Sequence, residues 1–103
     1  MLVTTIEVKS TPQCQKCAAT MRMLKKNGLQ YHHTFITDND LKKYKDQHGL
    51  SVAPIVVVTP DSLEKLAHLR TVNGVISDSE SIFWSDYRPT IMRDVMKIVK
   101  EEQ

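Results

Sequence analysis

Residues 54–58, Pro54-Ile55-Val56-Val57-Val58, form a nearly continuous apolar run. A strand without polar alternation buries both of its faces, so it belongs inside a sheet that is covered on both sides. That segment points to a layered α/β chain rather than a helical bundle or a one-faced sheet. With 103 residues and neither an internal repeat nor a low-complexity linker, the chain reads as a single domain over residues 1–103.

The elements around the run alternate in type. Residues 2–8 carry Val3, Thr4, Thr5, Ile6 and Val8 and predict a first strand. Cys17, Met21 and Leu24, with Ala18 beside them, give a helical stripe over residues 15–27 that Gly28 ends after Lys25 and Lys26. Residues 29–37 predict a second strand. Thr37, Asp38, Asn39 and Asp40 then offer caps for a second helix with the stripe Leu41, Tyr44 and His48, ended by Gly49. Strand, helix, strand, helix, strand in 58 residues argues for a sheet built on a βαβ crossover. Residues 59–81 read as a short helix with Leu63, Leu66 and Ala67, followed by a hairpin turn at Asn73-Gly74. Residues 82–84 predict a further strand. Arg88-Pro89-Thr90 opens a last helix whose apolar face is Ile91, Val95, Ile98 and Val99. Met21, Met23, Met92 and Met96 also fall at helical spacing and suit gap filling.

Composition narrows the functional classes. The chain is 41% hydrophobic and 25% charged, which disfavours disorder. Fourteen basic residues stand against twelve acidic ones, and a net charge of +2 is too small to suggest a nucleic-acid binder. No apolar stretch nears the about 18 residues of a membrane span. The first residues show no basic segment followed by an apolar core, so a cytoplasmic location is expected.

The chemistry concentrates in Cys14-Gln15-Lys16-Cys17. Two cysteines at this spacing on a helix start suit reversible dithiol–disulfide exchange, because the helix N-terminus favours the thiolate. Cys14, in the outer position, is the expected nucleophile. Cys17, one turn further in, is the expected resolving thiol, attacking the mixed disulfide to release the reduced substrate. Lys16 adds a positive charge if its side chain turns toward the pair. A zinc half-site and a pair of inert core thiols are the other readings. Zinc needs further ligands, and the neighbours His32 and His33 would point to opposite faces of one strand. No metal is expected.

Pro54 opens the apolar strand, where a proline removes no interior ladder bond. Taken alone, these residues favour an ordinary trans Ala53-Pro54 bond. A cis bond would leave the Ala53 backbone free to pair with an extended substrate.

In order, these segments resemble the thioredoxin superfamily, and within it the glutaredoxin-like NrdH-redoxins. The resemblance rests on Thr11-Pro12-Gln13-Cys14-Gln15-Lys16-Cys17, on Ala53-Pro54-Ile55-Val56-Val57 and on Trp84-Ser85-Asp86-Tyr87-Arg88-Pro89. It spans residues 1–58 and 82–100. It implies a thioredoxin fold with a four-stranded mixed sheet flanked by three helices, and residues 60–80 as an insertion. It further implies a monomeric electron carrier without a cofactor. Such a carrier takes electrons from thioredoxin reductase and reduces ribonucleotide reductase, with no nucleic-acid or membrane partner. A cis bond before Pro54 follows as well, against the reading of the residues alone. Thr11, Pro12, Ala53, Pro54 and Trp84 are the expected substrate contacts, although a core role suits the Trp84 ring at least as well.

The chain departs from that pattern at Asp86 and Tyr87, where the branch has glycine and phenylalanine, and at Gln15-Lys16, which replaces the usual Val-Gln type of pair. Glutaredoxins hold glutathione with paired glycines; Asp78-Ser79-Glu80-Ser81 stands near that point here, while Lys9 remains available for a glutathione carboxylate. The competing expectations are therefore a glutathione-dependent glutaredoxin and a non-enzymatic redox-sensing module. Arg88 is expected either to pair with Asp86 or a second-helix carboxylate, or to stand in solvent. In the reduced protein Cys14 should alkylate with iodoacetamide faster than Cys17, its thiol being more acidic than the free value of about 8.5. Faster alkylation of Cys17 would reverse the two roles.

Overall fold

The apolar run forms the centre of the sheet. In the computed structural model, which describes residues 4–101, it is strand β3 (Ile55–Thr59). Ile55, Val56 and Val58 are each 0% exposed, as a strand covered on both faces requires. Strand β1 (Thr5–Ser10) and strand β5 (Ile82–Ser85) flank it, both antiparallel. Strand β2 (His32–Phe35) lies parallel to β1, on its outer side. The two-residue strand β4 (Ile76–Ser77) pairs with β5, giving a mixed five-stranded sheet in the order β2-β1-β3-β5-β4.

Helix α1 (Gln15–Lys26) links β1 to β2, and α2 (Asp38–His48) links β2 to β3. Helix α3 (Leu63–Leu69) follows β3, and α4 (Pro89–Glu101) ends the described chain. The register divides the sheet into two faces. Val56 lies between Val8 and Trp84, and these side chains enter one core with Leu24 of α1, Leu66 and Leu69 of α3 and Val95 of α4. Val57 lies between Glu7 and Phe83 on the α2 side, where Tyr44 and His48 set their rings edge-on to Phe83 at 6.2 and 4.7 Å. His48 thus packs at the end of α2, and Gly49 closes the helix at φ 70°.

Several expectations change. The sheet has five strands and not four, and four helices and not three, because residues 60–80 contribute α3 and β4. The Asn73-Gly74 turn joins no hairpin: Gly74, at φ 92°, approaches α4 so closely that a Cβ there would lie 2.9 Å from Ile91 Cδ1. The hairpin is β4–β5, turned by Asp78, whose Oδ1 accepts the N–H groups of Glu80 at 2.9 Å and Ser81 at 2.8 Å. Strand β1 runs past Val8 to Ser10, and the expected start at Leu2 and Val3 lies outside the described residues. Strand β2 is shorter than residues 29–37. On α1, Ala18 faces solvent, and the inner face is Cys17, Thr20 and Leu24, with the Thr20 hydroxyl donating to the Lys16 carbonyl at 2.9 Å. On α4, Met92 and Met96 join Ile91, Val95 and Val99 in the core, while Ile98 is half-buried.

Residues 60–80 are integral to the core rather than an appendage. Leu66 and Leu69 are buried, and the buried Lys65 ammonium is held 3.1 Å from Asp61 Oδ1 and donates to Thr4 Oγ1 at 3.2 Å. Among the described residues no helix is long and apolar enough to cross a membrane. Leu69→Ala should cost about 2–5 kcal/mol in urea unfolding through the cavity it leaves. Leu63→Ala, on the same helix but at an 80% exposed position, should be close to neutral. Equal, small effects at both positions would contradict the packing of α3.

Candidate functional site

Three segments converge at the C-terminal end of β1. The first carries the cysteines. Gln13 takes φ 58°, a left-handed conformation that turns the chain sharply between β1 and α1. Cys14 then serves as the N-cap of α1: its Sγ accepts the Cys17 N–H at 3.1 Å, and its carbonyl accepts the first helical bond, from Ala18, at 3.1 Å. Cys14 and Cys17 form a disulfide with their Cα atoms 5.2 Å apart. Cys14 is half-buried, whereas Cys17 is 1% exposed. The first turn of α1 holds no acidic residue, so no carboxylate within that turn offsets the positive end at the sulfurs, while Lys25 and Lys26 suit the negative end in the last turn.

The second segment is the loop before β3. The Ala53-Pro54 bond is cis, in agreement with the resemblance and against the reading of the residues alone. Pro54 is buried and Ala53 half-buried. Among the described residues no turn or loop hydrogen bond uses the Ala53 N–H or carbonyl.

The third segment is the β5–α4 loop, and Asp86 ties it to the other two. Its backbone N–H donates to the Pro54 carbonyl at 2.9 Å and to that of Val52 at 3.3 Å. Its Oδ1 accepts the Tyr87 N–H at 2.8 Å and lies 3.0 Å from Lys16 Nζ. Asp86 adopts φ 73°, and aspartate is one of the few side chains that accept a left-handed backbone, through a local hydrogen bond of this kind. The Lys16 hydrogen bond, and next the Tyr87 N–H, hold its carboxyl below the usual value of 3.8. A lowered carboxylate contributes stability above the unfolded range and loses it in acid, here below about pH 4. Lys16 therefore spends its charge on Asp86 rather than on the thiol pair alone.

A groove of about 370 Å³ runs beside the pair on the β2 side. Cys14, Cys17, Ser10, Thr11, His33 and Phe35 contribute to it. His33 and Phe35 alternate onto this face of β2, their rings edge to face at 5.0 Å, and Phe35 is 64% exposed. The His33 Nε2 hydrogen-bonds the hydroxyl of the buried Ser10. His32 faces away into a separate cavity with Thr5, Leu29 and Tyr31, so the two neighbouring histidines diverge as strand alternation requires. Among the described residues no group of three or more His, Cys, Asp or Glu side chains could hold a metal ion.

The remaining expected contacts separate. Thr11 lines the groove, and Pro12 is exposed next to it without lining it. Trp84 lies in the core at 2% exposure, and its indole N–H finds no acceptor among the described residues. Its place is therefore behind the site rather than in it. Arg88 donates to the Ser85 carbonyl at 3.1 Å instead of pairing with a carboxylate. Lys9 belongs to the α2 face, 2.9 Å from Glu7 and above the Tyr44 ring at 5.7 Å. Burial opposes its charge, but the Glu7 hydrogen bond and the attraction of Tyr44 and Glu7 outweigh that and raise its pKa above 10.5. It lines a cavity of about 310 Å³ that the cysteines do not reach. Ser10, His33 and Asp86 are the site residues that sequence reasoning did not assign.

Compared with family models, with curated proteins and with solved structures, the chain finds no match. Its class is thus defined by the α/β sheet and the half-buried cystine at a helix start.

Removing the Asp86 anion tests how the loops share charge. Asp86→Asn should release Lys16 toward the helix start, raise the thiolate fraction of reduced Cys14 and speed its alkylation at neutral pH. Slower alkylation of the variant would show that Asp86 does not compete for that charge.

Proposed function

We propose that the protein is a thiol–disulfide oxidoreductase of the thioredoxin fold, and specifically an NrdH-like electron carrier. The observation that carries this reading is the asymmetry of the cystine: Cys14 half-exposed at a helix N-terminus, Cys17 buried one turn behind it. The Cys14 thiolate attacks a substrate disulfide and forms a mixed disulfide, releasing one substrate thiol. Cys17 attacks Cys14 Sγ, the Cys14–substrate bond breaks, and the second substrate thiol leaves. Two electrons pass to the substrate, and the protein ends in the disulfide form. A reductase then returns the two electrons.

The unused Ala53 backbone groups beside the pair suit an extended disulfide-bearing segment. Pro54 and Asp86 position that loop against α1. The proposed electron acceptor is ribonucleotide reductase and the proposed donor thioredoxin reductase, with the protein acting as a cytoplasmic monomer. Two observations support this donor over glutathione. Residues 78–81 form a tight Asp-capped turn at the β4–β5 end rather than a glycine cradle, and Lys9 is engaged by Glu7 in a cavity apart from the cysteines.

The oxidised protein should be reduced by NADPH and thioredoxin reductase much faster than by glutathione. Efficient reduction by glutathione alone would assign it to the glutathione-dependent glutaredoxins, and reduction by neither would leave a redox-sensing module. Cys14→Ser should abolish disulfide reduction, whereas Cys17→Ser should accumulate mixed disulfides detectable by intact mass.

A further inference from the structure

The two sides of α1 differ in charge. The groove on the β2 side is lined by no lysine, arginine, aspartate or glutamate. Yet α1 as a whole carries Lys16, Arg22, Lys25 and Lys26 and no carboxylate, in a chain whose basic and acidic residues nearly balance at fourteen against twelve. Helices α2, α3 and α4 each mix both signs. Resting on the thiol–disulfide reading above, we propose that the basic side of α1 docks an acidic segment flanking the disulfide of the electron acceptor, with Arg22 and Lys26 as the residues that select it.

A basic stripe on its own is an ordinary solvated face, and three observations distinguish this one. It is concave and partly apolar. Tyr87 leans onto α1, its hydroxyl 4.0 Å from Met23 Sδ, and a cavity of about 380 Å³ lies between Ala19, Arg22, Met23, Lys26 and Tyr87. Its charges are also uncommitted. Lys16 is engaged by Asp86 at 3.0 Å, whereas among the described residues Arg22 and Lys26 enter no ion pair, and no carboxylate lines their cavity. Finally, the cavity is continuous with the cysteine site. The Asp86 N–H donates to the Pro54 carbonyl at 2.9 Å, its carboxylate meets Lys16, and the next residue, Tyr87, forms the cavity wall. Lys25 turns to the other cavity, with His32, and takes no part.

The chemistry of the two selecting residues fits carboxylates. A guanidinium offers a planar fork for bidentate contact, and an ammonium offers a compact charge. Both side chains are exposed, so each contact adds little binding energy in water. Their effect falls instead on encounter rate and on the choice of partner, because the same charges repel a basic flank. The helical rise of about 1.5 Å per residue puts Arg22 about 12 Å and Lys26 about 18 Å beyond Cys14 along the axis. An extended chain advances about 3.3 Å per residue, so the matching carboxylates stand about four to six positions from the substrate cysteine.

The test measures the second-order rate at which the reduced full chain reduces three cyclic disulfide peptides. These carry glutamate, glutamine or lysine four to six positions outside the cysteines on both sides. Each rate is divided by that for uncharged hydroxyethyl disulfide, which reads the thiols alone. At low salt the glutamate peptide should exceed the glutamine peptide by on the order of tenfold, the low end of electrostatic steering, with the lysine peptide slowest. The spread should collapse in salt of about 1 M, where charges are screened within about 3 Å. Arg22→Glu combined with Lys26→Glu should reverse the order, and Arg22→Gln combined with Lys26→Gln should bring the three peptides together. Lys42→Glu combined with Lys45→Glu, on α2, changes the net charge equally and should keep the parent's order. Equal rates for the three peptides in the parent, or an α2 variant that loses the preference as fully as the α1 variant, would overturn the docking face. An α1 variant that keeps the peptide order but is no longer reduced by thioredoxin reductase would give the face to the electron donor and overturn the proposal. A parent inert toward hydroxyethyl disulfide would instead remove the thiol–disulfide reading on which it rests.

Discussion

The sulfur of Cys14 stands where a helix ordinarily has a hydroxyl or carboxylate. It accepts the Cys17 N–H at 3.1 Å and so caps α1 with the atom to which the proposed function assigns the chemistry. A thiolate at that position is a better acceptor than a thiol, so the cap and the redox state favour each other. The surrounding fold maintains this contact. Strand β1 delivers the chain to the helix start, the left-handed Gln13 turns it, and Cys17, Thr20 and Leu24 fix the helix to the sheet. Cys14 is consequently held at the surface and Cys17 beneath it.

The second support is the way Asp86 joins three loops. One residue offers its N–H to the loop before β3 and its carboxylate to Lys16 on α1, while its left-handed backbone turns β5 into α4. The glycine that the resembled branch has at this position satisfies only the backbone requirement. Aspartate satisfies it too, through its bond to the Tyr87 N–H, and adds an ionic tie to the cysteine helix. The departure in sequence therefore preserves the turn and changes the electrostatics beside the thiols.

Much of this architecture was legible in the sequence where periodicity is strong. The unbroken apolar run identified β3, and the spacing of Ile91, Val95 and Val99 identified α4. The two-residue strand β4 carries no period, and its turn is made by an aspartate side chain rather than by the Asn73-Gly74 pair, which serves a glycine-requiring approach to Ile91. The burial of Lys65 was illegible because one of its partners, Thr4, is distant in sequence. The cysteines were found from spacing alone. The groove beside them was not, because it depends on the parallel register that sets His33 next to Val8 and Phe35 next to Ser10. Alternation within β2 placed the two rings on one face, but nothing local tied that face to the cysteines.

The proposed role requires that Cys14 and Cys17 form a reversible two-electron couple within an intact fold. Equilibrating the protein in dithiothreitol buffers of graded potential, then trapping free thiols by alkylation and counting them by intact mass, measures this directly. Such a couple gives a single reversible transition in which both thiols appear together, with the far-ultraviolet circular dichroism unchanged across it. A cystine that yields to reductant only when the protein unfolds, or thiols that appear independently of each other, would contradict it.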